Sequence, residues 1–152
     1  MNHPPSIRSN AAAGLTTAAA AGRFELQVCV SCKTVQYPPR EACYVCLGTG
    51  LEWRSQEGGG ELLAVTQVHV SQNPYFKERT PWPVALVRLD CGPAVIAHLH
   101  VDCLPPPSRV RVQARVDVSG QGVLIAFPGE GPMDVARDSR LFELTGGDGA
   151  WR

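Results

Sequence analysis

The sequence predicts a mainly β protein in which a small metal-binding module precedes a five-stranded barrel. Two observations carry this prediction. Four cysteines form two Cys-x2-Cys pairs within one short segment, and beyond Gly58-Gly59-Gly60 apolar strands alternate with turn sequences. The 152 residues are enough for one sizeable core or two small modules, and too few for a multidomain enzyme.

Composition excludes several classes of protein. With 44% hydrophobic and 18% charged residues, the chain is too apolar to be wholly disordered. It contains no run of 18 apolar residues, so we expect no membrane-spanning helix and no membrane partner. The 14 Lys and Arg residues balance 14 Asp and Glu residues, and this zero net charge argues against a nucleic-acid partner.

Residues 1–22 are predicted to form a leader or a short helix. The stretch Ala11 to Ala21 is mostly alanine. Arg8 ahead of this stretch resembles the start of a secretory signal, but the leucine density of such a signal is missing. We therefore expect a cytoplasmic protein, in whose reducing environment cysteines bind metal rather than form disulfides.

Residues 23–57 are predicted to form a zinc ribbon that contains Cys29, Cys32, Cys43 and Cys46. Two residues between the members of a pair let a tight turn present both sulfurs to one ion. Four thiolates satisfy the tetrahedral coordination of Zn²⁺ and leave no open position, which indicates a structural site. Iron is the alternative metal, because tetrahedral sulfur suits both ions.

Residues 58–129 are predicted to form a barrel, for which the five-stranded OB-fold is the obvious candidate. The segment Arg109 to Val118 alternates almost perfectly, with valines and Ala114 on one face and charged or polar residues, Asp117 among them, on the other. The five predicted strands are Leu62–Val70, Val84–Leu89, Ala94–Val101, Arg109–Val118 and Val123–Phe127.

Residues 130–152 show little periodicity and are predicted to be a C-terminal tail. The tail contains four apolar side chains that could dock on another protein, namely Leu141, Phe142, Leu144 and Trp151.

Several motifs together resemble one protein family. They are Gly22-Arg23-Phe24-Glu25-Leu26, the two Cys-x2-Cys pairs separated by Tyr37-Pro38-Pro39-Arg40, Leu51-Glu52-Trp53, Gly58-x-Gly60 and the segment from Pro81 to Asp90. This combination is similar to the acyl-CoA-associated OB-fold proteins that carry an N-terminal rubredoxin-like zinc ribbon. The resemblance implies a non-catalytic small subunit that partners a thiolase-like enzyme, a thiolase or a lipid-transfer-protein-type aldolase. It also implies that this subunit supports assembly and helps to shape an acyl-CoA site.

Three aromatic residues lie in the predicted loop between the first two barrel strands: Tyr75, Phe76 and Trp82. Aromatic rings in a loop need cover, either from the barrel or from another chain. Because aromatic residues are enriched in interface cores, we name these three as candidate contacts with a partner or with acyl-CoA.

Three arginines on the polar face of the fourth barrel strand are further candidates: Arg109, Arg111 and Arg115. The forked guanidinium group binds phosphate well, so this stripe suits a CoA phosphate or an acidic partner. The alternative is an ordinary solvated strand face, because alternating exposed charge is common in antiparallel sheets.

The remaining metal-binding residue types form no recognisable motif. His98 and His100 are predicted to lie on one face of the third barrel strand, with His69 on the first. A second metal site, a surface position and a partner interface are all compatible with that pattern. Cys91 and Cys103 lack a base motif, and we expect ordinary thiols.

Two other functions fit the fold class. Zinc ribbons and OB-folds both occur in single-stranded nucleic-acid-binding proteins, which use aromatic platforms and a basic groove. An electron carrier with iron in the four-thiolate site is the second. The zero net charge disfavours the first, and no acid–base pair, triad or phosphate loop suggests an independent active site.

Overall fold

The computed structural model describes residues 2–147 and contains three short α-helices and eight strands. Trp151, one of the predicted docking residues, lies outside the described residues. The helices are α1 (Ala13–Ala20), α2 (Pro74–Lys77) and α3 (Ser139–Thr145), with 3-10 turns at Asn10–Ala12 and Val135–Arg137. The strands are β1 (Glu25–Cys29), β2 (Val35–Gln36), β3 (Leu51–Ser55), β4 (Gly59–Val68), β5 (Trp82–Leu89), β6 (Ala94–Leu99), β7 (Ser108–Val116) and β8 (Gly122–Pro128).

The ribbon is a three-stranded antiparallel sheet in the order β2-β1-β3. Its central strand pairs Gln27 with Gln36 on one side and Cys29 with Leu51 on the other. Leu26 is fully buried, which fixes the face of the sheet that packs toward the barrel.

The second sheet is a closed barrel in the order β4-β5-β6-β8-β7, which confirms the predicted five-stranded OB-type fold. Strand β6 pairs with β8 in parallel, and the other neighbours are antiparallel. Glycine is required where β4 passes closest to β5, because a Cβ on Gly60 would lie 2.6 Å from the carbonyl oxygen of Arg88.

One hydrophobic core joins the leader, the ribbon and the barrel. Leu15 and Ala19 of α1 and Phe24 and Leu26 of the ribbon belong to the same buried cluster as the inward-facing valines of the barrel. Buried residues therefore pack continuously from the leader to the barrel. The domain boundaries at residues 22 and 57 stay predictions from the sequence.

The C-terminal residues 130–147 are not a free tail. Leu141 and Leu144 of α3 are buried, with 1% and 0% of their surfaces exposed, in a second cluster beside Ile125 and Phe127 of β8. The prediction that Leu141 and Leu144 dock on another protein is therefore corrected, because the outside of the chain's own barrel already covers them. Phe142, on the other side of the helix, is 44% exposed.

The alternation predicted for β7 holds to Val116 and then breaks. Asp117, expected on the solvent face, is fully buried, and Val118 is 39% exposed. The strand ends at Val116, and the Asp117 carboxylate folds back to accept hydrogen bonds from the backbone N–H groups of Ser119 (2.8 Å) and Gln121 (3.1 Å). An Asp that organises a turn in this way follows the turn geometry rather than the strand period.

None of the helices within residues 2–147 is long and apolar enough to span a membrane.

Candidate metal centre and neighbouring surfaces

The four cysteines predicted to bind metal come together at one end of the ribbon. Their Sγ atoms all lie within 4.8 Å of one another. The Sγ atoms of Cys29 and Cys46 are 3.5 Å apart, and those of Cys32 and Cys43 are 3.6 Å apart. A tetrahedron with zinc–sulfur bonds of about 2.3 Å has sulfur–sulfur edges of about 3.8 Å, so the four sulfurs fit one Zn²⁺ with little movement.

Two similar turns present the sulfurs. In the first, the N–H of Lys33 donates to the carbonyl of Cys29, and in the second, the N–H of Leu47 donates to the carbonyl of Cys43, both at 2.9 Å. Lys33 and Leu47 both adopt left-handed backbone angles, with φ of 64° and 62°. Glycine usually occupies such positions, because other residues pay a steric penalty of about 1 kcal/mol there.

Hydrogen bonds favour ionised sulfur at part of the centre. Hydrogen bonding from the Cys32 backbone lowers the pKa of Cys29, and the Thr34 hydroxyl lowers the pKa of Cys32 to about 6. The Gly48 N–H lowers the pKa of Cys46, but the neighbouring Cys29 sulfur and burial outweigh it and raise that pKa to about 11. Four adjacent sulfurs cannot all ionise unless a cation lies between them, which is what a divalent metal provides.

Two buried glutamines support the centre. The Gln27 side chain accepts from the N–H of Arg40 and donates to its carbonyl, both at 2.8 Å. The Gln36 amide donates to Gln27 Oε1 at 3.0 Å and accepts from the N–H of Tyr44 at 3.1 Å. These bonds fix the excursion that separates the two cysteine pairs. Sequence reasoning missed both residues, although a buried Gln pair on adjacent strand positions is an unusual feature.

The second metal turn carries an exposed apolar surface. Tyr44, Val45 and Leu47 are 57%, 58% and 76% exposed. Leu47 is unexpected on two counts, since glycine would suit its backbone angles and a polar residue would suit its exposure. We call these three residues the apolar knuckle.

The aromatic candidates are covered by the chain itself. Tyr75 and Trp82 are only 2% and 3% exposed, and Phe76 packs edge-on against both rings. The cover comes partly from α3, because Leu141 and Leu144 share a buried cluster with both rings. The Arg79 guanidinium, which pairs with Glu143, lies 3.9 Å from the centre of the Tyr75 ring. The sequence left open whether the barrel or another chain covers these rings. The structure shows that this chain itself covers Tyr75 and Trp82.

The arginine stripe is also engaged within the chain. Arg109 forms an exposed ion pair with Asp90. Arg111 Nε donates to the carbonyl of Pro128 at 3.0 Å, and an Arg115 nitrogen donates to the carbonyl of Met133 at 2.9 Å. Arg111 and Arg115 therefore hold the C-terminal segment against β7, a role that the strand alternation did not suggest.

The two barrel histidines share the outer face of the barrel, as expected, and each ring packs against the second buried cluster. His98 Nδ1 accepts a hydrogen bond from Trp82 Nε1 at 2.9 Å, and burial lowers the pKa of His98 to about 4. His100 lies beyond the end of β6 and is 2% exposed, with ring nitrogens bonded to the N–H of Asp102 and the carbonyl of Asp134. In the part of the chain that the structure describes, the only group suited to hold a metal is the cysteine cluster.

Comparisons with known proteins agree with this architecture. A family model described as the rubredoxin-like zinc ribbon domain of ChsH2 matches residues 16–52. A second, described as the C-terminal OB-fold domain of ChsH2, matches residues 53–121. Together the two matches cover the metal centre and most of the barrel.

The chain is similar to a curated relative and to a chain of a solved structure. The relative, named a probable enoyl-CoA hydratase alpha subunit of Thermomonospora curvata, is 32% identical over 79 residues, 51% of this chain. This match spans about a quarter (24%) of that relative's length. The solved structure, titled Ltp2-ChsH2(DUF35) aldolase, contains a chain with 24% identity and a TM-score of 0.65. The match covers 84% of this chain and 100% of that one, and at this identity it shows a shared fold.

Proposed function

Because the chain belongs to the ChsH2 family, whose members join a rubredoxin-like zinc ribbon to an OB-fold, we propose that it is a zinc-binding accessory subunit of a thiolase-like enzyme. The catalytic partner is a thiolase or an aldolase that acts on acyl-CoA. This chain supports assembly of the complex and helps to shape the acyl-CoA site from its side of the interface.

The closed metal centre carries the non-catalytic assignment. All four tetrahedral positions are supplied by cysteine, so no position remains for water or substrate. Two of the four ligands, Cys29 and Cys43, are fully buried. The sheet that holds them shares its core with the barrel. A metal in this place stabilises the ribbon and the surface that the ribbon presents.

The names of similar proteins support the chemical class. The curated relative is named as a hydratase subunit with an enoyl-CoA substrate, and the similar solved chain comes from a structure titled as an aldolase. Both names point to enzymes built from more than one kind of chain or domain. A cytoplasmic location suits such a subunit, because reduced cysteines are needed to bind the metal.

We place the main partner contact at the apolar knuckle. Its three side chains are the most exposed apolar group on the ribbon, and the left-handed turn at Leu47 favours glycine rather than an exposed leucine. Phe76 and Arg109 remain secondary candidates for contact with the partner or with acyl-CoA, whereas Tyr75 and Trp82 are already covered.

Co-expression with a thiolase-fold protein from the same genome tests the proposal. We expect the tagged chain to retain that protein, and acyl-CoA cleavage or condensation to require both. Leu47→Gly removes the side chain that we expect to become buried against the partner, a loss of about 1.5 kcal/mol or more of binding free energy. This change weakens the complex about 10-fold or more. Lys33→Gly is the matched control, because it changes the equivalent residue of the other turn.

Both variants should keep one zinc per chain and a stability equal to or above that of the wild type, since glycine relieves the left-handed strain. If both variants lose the complex equally, the apolar knuckle is not part of the interface. If the thiolase-like protein has the same activity and solubility with and without this chain, the proposed accessory role is wrong.

A further inference from the structure

A cavity lies between the leader, the ribbon and the barrel, away from the metal centre. Its volume is about 300 Å³, at the lower end of the range for small-molecule sites. Leu15, Val84 and Ile96 supply apolar wall from α1, β5 and β6. Arg8, Tyr37 and His98 supply the wall's largest polar groups, and its lining contains no Asp or Glu.

The structure fixes which proton His98 carries. The Trp82 indole nitrogen can only donate, so the His98 Nδ1 that it contacts at 2.9 Å must be unprotonated. The proton of the neutral ring is therefore on Nε2. This N–H has no hydrogen-bond partner among residues 2–147, and burial keeps the ring neutral by lowering its pKa.

Two further donors surround the same cavity. The Tyr37 hydroxyl and the Arg8 guanidinium have no hydrogen-bond or ion-pair partner within the described part of the chain. Burial raises the pKa of Tyr37 and the positive charge of Arg8 opposes this, whereas burial and Arg8 together lower the pKa of His98. One cationic and two neutral donors thus line one cavity whose wall contains no acidic residue, and the buried Asp117, outside this lining, acts on His98 by raising its pKa.

We propose that this cavity binds the carboxylate of a small apolar acid. The carboxylate accepts hydrogen bonds from Arg8, Tyr37 and His98 Nε2–H, and the apolar body of the acid contacts Leu15, Val84 and Ile96. Charge-assisted bonds to a carboxylate are the strong class of hydrogen bond, and a cavity of this volume admits one ring or a short chain. The inference does not depend on the accessory role, because it concerns surfaces within this chain alone.

Calorimetric or NMR titration of the zinc-loaded full chain with benzoate tests the site, with the neutral isostere benzamide as the matched ligand. We expect benzoate to bind with a dissociation constant of about 1 mM or below, and benzamide to bind about 10-fold more weakly or worse. Arg8→Gln and Tyr37→Phe should each weaken benzoate binding about 5-fold. Arg88→Gln removes an exposed arginine that does not line the cavity and should leave the dissociation constant unchanged.

Equal affinity for benzoate and benzamide would overturn the carboxylate assignment. The same loss in Arg8→Gln and Arg88→Gln would show only non-specific attraction of the anion and would overturn the site. Absence of any benzoate binding up to about 20 mM would do so as well. Arg8 is exposed, so we expect Arg8→Gln to fold. This variant tests the carboxylate site even if Tyr37→Phe does not fold.

Discussion

The contact between α1 and the ribbon predicts that a normally stabilising substitution will destabilise this protein. Gly14 lies inside α1, where replacing glycine by alanine usually adds about 1 kcal/mol of stability. A Cβ on Gly14, however, would lie 2.5 Å from Cδ2 of Trp53 and closer still to Cε2 and Nε1. These are atoms of a rigid indole ring, so either the helix or the ring must move by about 1 Å or more to reach ordinary contact distance.

We expect Gly14→Ala to lower the free energy of unfolding by about 2 kcal/mol, since overpacking costs up to about 3 kcal/mol and the helical preference of alanine returns about 1. Urea unfolding of the zinc-loaded protein measures this change. Ala13→Gly, at an exposed position of the same helix, calibrates the helical preference and should cost up to about 1 kcal/mol.

A double-mutant cycle separates the clash from other causes. In a Trp53→Val background the ring is absent, and Gly14→Ala should then stabilise by about 1 kcal/mol. If Gly14→Ala stabilises the wild type, or has the same effect in both backgrounds, the described packing of α1 on the ribbon is wrong.

Three further predictions concern the metal, the histidine and the C-terminal segment. The purified protein should be colourless with one zinc per chain by elemental analysis, and Cys43→Ser should lose the metal; a red, iron-containing protein would contradict this. Because the folded pKa of His98 is about 4 and the unfolded value about 6.5, the unfolded chain takes up this proton first. The stability that His98 contributes is therefore complete above about pH 6.5 and falls by up to about 3 kcal/mol toward pH 4. Comparing unfolding of the wild type and His98→Gln across this range isolates the effect from acid release of zinc, and parallel pH profiles would refute it. Asp138 caps α3 through Oδ1 and accepts from the Val101 N–H at 2.9 Å through Oδ2, so Asp138→Ala should cost about 3 kcal/mol in urea unfolding. A loss below about 1 kcal/mol would mean that the segment is not held there.

The parts of the fold that sequence reasoning predicted are those with local, repeated signals. Cys29 and Cys32, like Cys43 and Cys46, are close in sequence, so their spacing reports directly on one turn. The segment from Arg109 to Val116 repeats an apolar position at every second residue, which is enough to assign its inward face. Both expectations were confirmed.

The parts that sequence reasoning missed depend on contacts between distant segments. Helix α3 has only seven residues, too few to show helical periodicity, and Leu141 and Leu144 were interpreted as unpartnered for that reason. The burial of Trp82 depends on packing that no local pattern encodes. Asp117 followed a turn rather than the strand that precedes it, so alternation failed at the last position.

The core shared by α1, the ribbon and the barrel has a consequence for how the cell handles this chain. Because Phe24 and Leu26 pack with the barrel valines, the metal-binding end cannot open without disturbing the barrel. Zinc binding and barrel folding are then one cooperative equilibrium, in which free zinc above its dissociation constant stabilises the whole chain by mass action. Newly made protein in a zinc-starved cell would be exposed to proteases along its entire length, so the abundance of this chain would follow the supply of the metal.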